Sequence, residues 1–173
     1  MRPPESIELR DVDSVTIDAV GPPGQRTFYL QAVQDDLTIT LVIEKEHAAA
    51  ITIAIGNVLE SLEEIGELVE ESPDLVHPLE PLFHVGKLGL SYDQLHDNLI
   101  IMAEELVPEG VHGAKVTIWA GRGQMAALAH RAAGVVAAGR PICPLCREPM
   151  DLGDEHVCVR GNGRKRILDP GAS

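Results

Sequence analysis

Apolar residues recur along this chain at two spacings, and the change from one spacing to the other lays out its elements. Val15, Ile17 and Ala19 alternate with polar neighbours and predict a first strand. Gly21-Pro-Pro-Gly24 then signals a turn, because glycine accepts positive φ and proline carries no backbone N–H. Arg26–Ala32 alternates again, with Phe28, Leu30 and Ala32 on one face, until Asp35-Asp36 breaks it. Leu37, Ile39, Leu41 and Ile43 hold a strict period of two against Thr38 and Thr40, the clearest strand pattern in the chain. Residues 1–13 are polar and contain proline, and are expected to form a loose lead-in.

From about Glu44 the period changes. Ile51, Ile55, Val58, Leu62, Ile65 and Val69 are spaced 4, 3, 4, 3 and 4 residues apart, one stripe of a helix that Ser72-Pro73-Asp74 should end. A proline-rich connector follows through Pro78 and Pro81. The second half repeats the order. Leu88, Leu90 and Tyr92 alternate, Asp93–Asn98 reads as a hairpin loop, and Leu99, Ile101 and Ala103 alternate next. After a turn at Pro108–Gly113, Val116, Ile118 and Ala120 predict a strand, and Met125, Leu128, Ala132 and Val135 a second helix stopped by Gly139-Arg-Pro141.

The pattern predicts an α+β fold: an antiparallel sheet built from two strand-strand-strand-helix halves, with both helices on one face. Ile39, Leu41, Ile55, Leu62, Leu128 and Val135 should share its core. This domain should occupy residues 1–140, with a small zinc-binding module and basic tail over 141–173. The repeated Val-Thr-Ile-x-Ala at 15–19 and 116–120 falls on different strands of the two halves, and shared β propensity explains it.

At 173 residues the chain can bury one sizeable core. No apolar run approaches the roughly 20 residues that span a bilayer, and the N-terminus lacks the apolar segment of a signal peptide, so no membrane association is expected. The net charge of −13 is unevenly spread: residues 1–142 carry 9 basic and 22 acidic side chains, residues 143–173 carry 5 and 5. Between Lys45 and Lys87 there is no lysine or arginine, while glutamates and Asp74 accumulate there. Most of this is a solvated helix face, and such a surface repels the phosphates of duplex nucleic acid.

The densest chemistry is Cys143-Pro-Leu-Cys146, then nine intervening residues and His156-Val-Cys158, a stretch that holds all three cysteines. Two short claws close enough to meet suit one tetrahedral zinc bound by Cys143, Cys146, His156 and Cys158. The pattern fits a reducing, cytoplasmic setting better than a disulfide framework. A redox Cys-x-x-Cys would want its first thiol at a helix N-terminus, whereas this one follows a helix end among prolines. A zinc deaminase would need a His-x-Glu or Cys-x-Glu, and none is present. A closed, structural site is the expectation.

Beyond the second claw, Arg160-Gly-Asn162-Gly-Arg164-Lys165-Arg166 alternates cations with turn-forming residues, so Arg160, Asn162, Arg164 and Lys165 form a candidate anion-binding loop. The competing reading is a basic tail that offsets the acidic body. Glu44-Lys-Glu46-His47 has metal-ligand residue types but lies at a predicted helix start, where carboxylates complement the dipole. His77, His84, His96 and His112 show no ligand spacing. No glycine-rich phosphate loop and no nucleophile elbow is present.

Taken together, Gly21-Pro-Pro-Gly-Gln-Arg-Thr-Phe-Tyr-Leu-Gln-Ala32, Leu41-Val-Ile-Glu-Lys-Glu46, Val135-Val-Ala-Ala-Gly-Arg-Pro141 and the two claws with Val159-Arg160-Gly-Asn162-Gly-x-Lys165 resemble an actinobacterial family catalogued as domain of unknown function 3090. The chain departs from that pattern where Arg147 replaces a glycine after the first claw, where Val159 replaces a proline, and in an inter-claw loop one residue longer. The resemblance implies the same architecture and no assigned activity. Its members' frequent neighbours, a histidine-phosphatase-like and a kinase-like protein, imply a phosphate-linked setting.

These readings converge on a cytoplasmic zinc-containing binding or adaptor protein, its partner another protein or a phosphorylated small molecule, with no catalytic residue assigned. The competing class is an enzyme of phosphate or nucleotide metabolism that uses the basic loop as its anion site. An enzyme needs a pocket where polar side chains converge; Arg26, Glu44 or His84 lining one beside Arg160 and Arg164 would favour it.

Overall fold

The computed structural model describes residues 4–22, 24–62, 71–138, 143 and 145–147, and the backbone of 156–157 and 166–167. The seven strands of the main sheet are β1 (Ser6–Leu9), β2 (Ser14–Val20), β3 (Thr27–Gln34), β4 (Leu37–Ile43), β5 (Pro81–Asp93), β6 (Asn98–Glu105) and β7 (Lys115–Gly121). Helix α1 (Lys45–Ser61) lies between β4 and β5, and α2 (Arg122–Ala138) follows β7. The sheet order is β1-β7-β6-β5-β4-β3-β2.

The two strand-strand-strand-helix halves are therefore present as expected. The sheet is mixed, not antiparallel: β4 pairs β5 in parallel across the α1 crossover, and β1 pairs β7 in parallel. A helix between two neighbouring strands lets the chain re-enter the sheet in its original direction, which a hairpin cannot do. Residues 6–9, expected as a loose lead-in, form the edge strand β1.

The length of the β1–β2 linker fixes the curvature. Only Arg10–Asp13 join β1 to β2, which lie at opposite edges of the sheet. Six flat inter-strand steps would part those edges by about 29 Å, while five Cα steps reach at most about 18 Å. The sheet must curl until its edges approach. The linker is fastened where they meet: Asp13 N–H donates to Val33 O at 2.8 Å, Asp35 N–H to Asp13 Oδ2 at 2.7 Å, and Gln124 Nε2 of α2 to Val12 O at 3.0 Å.

The two helices pack on each other inside the curl, α1 along β5 and α2 along β2 and β7. Alternation aims Val15, Ile17, Phe28, Leu30, Ile39, Leu41, Leu99, Ile101, Val116 and Ile118 at Ile51 and Ile55 of α1 and at Met125, Leu128 and Ala132 of α2, in one core. Four of the six expected core residues, Ile39, Leu41, Ile55 and Leu128, are buried there, and Val135 packs partly buried against it. Leu62 does not join it. The helix stops at Ser61, and Leu62 is already extended at φ −100° and ψ 119°. The remainder of the long stripe, Ile65 and Val69, lies outside the described residues.

The outer face of β2, β3 and β4 is also buried. Thr16, Gln31 and Thr40 face one another across the three strands, each nearly inaccessible, beneath residues 72–76. Gln31 Nε2 donates to Thr40 Oγ1 at 2.9 Å and to Val76 O at 3.0 Å, and its Oε1 accepts from Val76 N–H at 2.7 Å. Ser72 Oγ donates to Val15 O at 2.9 Å. Arg131 of α2 clamps the same strap, bonding Ser72 O, Asp74 and Asp18.

Candidate functional site

β4 ends while its parallel neighbour β5 runs on. The last β4 residue paired to β5 is Val42, opposite His84, and β5 continues to Asp93. A cleft of about 390 Å³ opens where α1 departs, lined by Gly24, by Arg26, Thr27 and Phe28 at the start of β3, by Val42 and Ile43, by Glu44, Lys45 and Glu46 of the first α1 turn, and by His84. Ends of strands beside a parallel crossover are where backbone turns away and leaves room for a ligand.

Each wall has a local cause. Gly21, at φ +117°, turns the chain out of β2, and a Cβ there would meet Gln25 O at 2.7 Å. Glu44 is the N-cap of α1, with its N–H donating to His47 Nδ1 at 3.1 Å. Its carboxylate and that of Glu46 stand at the positive end of the helix dipole, as expected from the sequence. His84 sits on the strand face opposite the buried Phe83 and Val85, and its carbonyl accepts from Leu106 N–H at 2.7 Å. The bulge beyond it holds Gly86 against Leu106, whose Cα would lie 3.0 Å from an added Cβ.

Arg26 is held by a neutral group. Its Nη1 donates to Val135 O at 2.7 Å and its guanidinium lies 5.5 Å from the Phe28 ring centre. The other described arginines of the domain are committed to carboxylates: Arg10 to Glu8, Arg122 to Asp97 and Arg131 to Asp18 and Asp74, as Lys115 is to Glu104. Among the described residues of the domain, Arg26, Lys45 and the exposed Lys87 have no carboxylate within ion-pair distance, and the first two line the cleft. Two such cations thus meet in one cleft of a strongly acidic domain.

A second polar cluster sits at the β5–β6 turn. Tyr92 OH donates to Asp97 Oδ1 at 2.5 Å, Arg122 Nε donates to the same oxygen at 2.7 Å, and Asp93 Oδ2 lies 2.7 Å from His96 Nδ1. The Tyr92 hydrogen bond and Arg122 hold the Asp97 carboxyl below its ordinary range, and His96 does the same for Asp93. The bond to Asp97 raises the Tyr92 phenol. This cluster is exposed and shapes the hairpin.

The sequence-predicted metal residues are only partly described. Cys143 is buried and Cys146 half-buried. The chain turns between them, closed by Arg147 N–H donating to Cys143 O at 2.9 Å, with Arg147 at φ 60°. That left-handed position is the one where the resembled family carries glycine. His156 starts a short strand, β8 (His156–Val157), paired antiparallel with β9 (Arg166–Ile167), a ladder with no period long enough to read from the sequence. Cys158 and the candidate anion-binding residues Arg160, Asn162, Arg164 and Lys165 lie outside the described residues, between β8 and β9 in the sequence. Among the described residues no three His, Cys, Asp or Glu side chains gather as a metal group.

Arg26, Glu44 and His84, three residues scattered over the sequence, thus line one cleft. These are the three residues whose meeting in a pocket was expected to favour an enzyme; the meeting itself depends on β4 and β5 being parallel, and Arg160 and Arg164 lie outside the described residues. Fold and site together define a mixed α+β protein with a polar cleft at a parallel strand crossover and a cysteine-bearing C-terminal segment. The chain belongs to the family described as protein of unknown function (DUF3090), which it matches over residues 7–158. No curated protein and no solved structure matches it significantly. Among the described residues no helix is long and apolar enough to cross a membrane.

Proposed function

We propose that this protein binds a small anionic ligand in the β4–α1–β5 cleft and carries a structural zinc in its C-terminal segment. The observation that supports the binding reading is the convergence of Arg26 and Lys45, neither paired with a carboxylate among the described residues, beside His84 in that cleft. Elsewhere in the domain the described arginines and Lys115 are neutralised by carboxylates of the protein, and the exposed Lys87 is not. Here a ligand oxyanion would take that place, with Arg26 able to present two parallel N–H donors. Glu44 and Glu46 supply acceptors for a ligand hydroxyl and keep the attraction moderate. Duplex nucleic acid remains a poor partner for a domain this acidic.

Cys143, Cys146, His156 and Cys158 would hold the zinc. The 143–147 turn, with a left-handed residue after the second cysteine, supports that reading, because such a turn lets two side chains three positions apart face one centre. Four protein ligands leave no open position, so the zinc would organise the segment and activate no water. Thiolate ligation suits a reducing compartment.

The second reading, an enzyme of phosphate or nucleotide metabolism, is favoured by the presence of an imidazole and two carboxylates in the same cleft as the cations, the residue types of proton transfer. The test is titration of nucleotides and phosphorylated metabolites against wild type, Lys45→Ala/His84→Ala and Arg160→Ala/Arg164→Ala, with turnover followed in parallel. Binding lost in the first variant and kept in the second supports the cleft. The reverse pattern assigns the anion site to the 160–166 loop, and turnover of any bound compound assigns an enzyme.

A further inference from the structure

A second, smaller space lies beside the cleft. Where β5 runs past β4, α1 lies over Leu88 and Leu90 and leaves a notch of about 120 Å³, lined by His47, Ala50, Ile51, Ala54, Leu88 and Leu90. His47 stands between the two spaces: it lines the notch, and its Nδ1 accepts from the backbone N–H of Glu44, a lining residue of the cleft, at 3.1 Å. Two of the notch's helix residues are alanines, so the gap exists because small side chains stand opposite two leucines. The remaining walls are aliphatic. Apart from the His47 ring, no lining side chain offers a hydrogen bond.

We propose that the ligand is an oxyanion carrying a short aliphatic body, its charged group among Arg26, Lys45 and His84 and its hydrocarbon past His47 in the notch. This rests on the reading of the cleft as an anion site and names the class of anion. The walls argue against a nucleobase, whose ring nitrogens and exocyclic groups would be stripped of water against leucine and isoleucine with one possible partner. They suit methylenes. At about 30 Å³ per water-sized group the notch takes a body of about four carbons. Phosphate and carboxylate headgroups share the required chemistry.

Affinities for methyl, propyl and butyl phosphate, for acetate and pentanoate, and for adenosine monophosphate test this on the full-length protein. Each buried methylene multiplies affinity about fourfold, so even partial burial of a butyl chain should give a gain of at least about tenfold over methyl. That gain is expected in whichever series binds, phosphate or carboxylate, which also identifies the headgroup. Ala54→Phe, and separately Ala50→Phe at the exposed mouth of the notch, should remove the gain and leave the affinity of the shortest member unchanged. Equal affinity along both series overturns the proposal even if neither variant folds, as does adenosine monophosphate binding more tightly than butyl phosphate. Failure of every oxyanion to bind saturably removes the anion site itself. A flat series with saturable methyl phosphate binding removes only the notch.

Discussion

Arg26 Nη1 donates a hydrogen bond to the carbonyl oxygen of Val135 at 2.7 Å, joining a wall of the cleft to the last turn of α2. The last four carbonyls of a helix have no acceptor role inside it, and a cation there also meets the negative end of the dipole. One side chain therefore serves the cleft and anchors the helix end from which the chain runs to Cys143.

Arg26→Ala should destabilise the protein by about 1–2 kcal/mol, the usual worth of such a bond at a half-buried position. Arg26→Lys keeps the charge and loses the fork, so it should recover part of the stability and little of the ligand binding. Thermal unfolding of both variants checks the first claim. Amide exchange should show the added opening concentrated in 135–138, and uniform loss of protection would contradict the anchoring role.

The strap formed by residues 72–76 depends on one buried amide. Gln31→Leu would fit the space but strand Val76 N–H, Val76 O and Thr40 Oγ1, at a cost of about 2–4 kcal/mol. Leu41→Ala, in the helix-facing core, should cost about 2–5 kcal/mol by opening a cavity. Denaturant unfolding distinguishes them: limited proteolysis near 72–76 should accelerate in the first variant well before global unfolding, and not in the second.

The β5–β6 hairpin should respond to pH at both extremes. Asp97 and Asp93 have folded-state values below their ordinary range, so their contribution is present above the unfolded value of about 4 and is lost as pH falls through the lowered values. Tyr92 is raised, so its contribution is present below about 10 and is lost as pH rises through its folded value. Asp97→Asn should bring the phenol back toward its ordinary titration, read by absorbance. An unchanged Tyr92 titration would contradict the coupling.

Zinc gives a separable prediction. Cys146→Ser should release the metal and loosen residues 141–166 while the domain from Val15 to Ala138 keeps its unfolding transition, because zinc binding free energy is folding free energy only for the segment it organises. Arg147→Gly should stabilise the turn by about 1 kcal/mol, since glycine takes φ 60° without strain. Stoichiometric metal by elemental analysis is the expected result for wild type; protein purified without chelators that contains none would remove the site.

Much of the fold was legible because it rests on local periods. The alternation of Leu37–Ile43 and the 3–4 spacing from Ile51 are properties of one segment meeting one core; the strand stands where the pattern put it, and the helix starts there but ends at Ser61, before the stripe does. Pairing direction is not local. Nothing in Leu41 or Phe83 says that β4 and β5 lie parallel, and the cleft that joins Arg26, Lys45 and His84 follows from that alone. Polar Thr40 reads as a solvent-facing position because the strap that buries it comes from 30 residues downstream. β1 is short, polar on one face and stabilised by β7, so no period of its own announces it. The Cys-x-x-Cys and His-x-Cys spacings stand in the sequence itself, whereas the left-handed turn at Arg147 is visible only in the fold.

The most direct test of the cleft as the ligand site is a phosphate titration followed by amide chemical shifts of the labelled protein at low ionic strength. Saturable shifts should appear at Arg26, Thr27, Lys45, Glu46 and His84, and should weaken with added salt as exposed charges are screened. Shifts confined to residues 160–166, or none that saturate, would contradict the account.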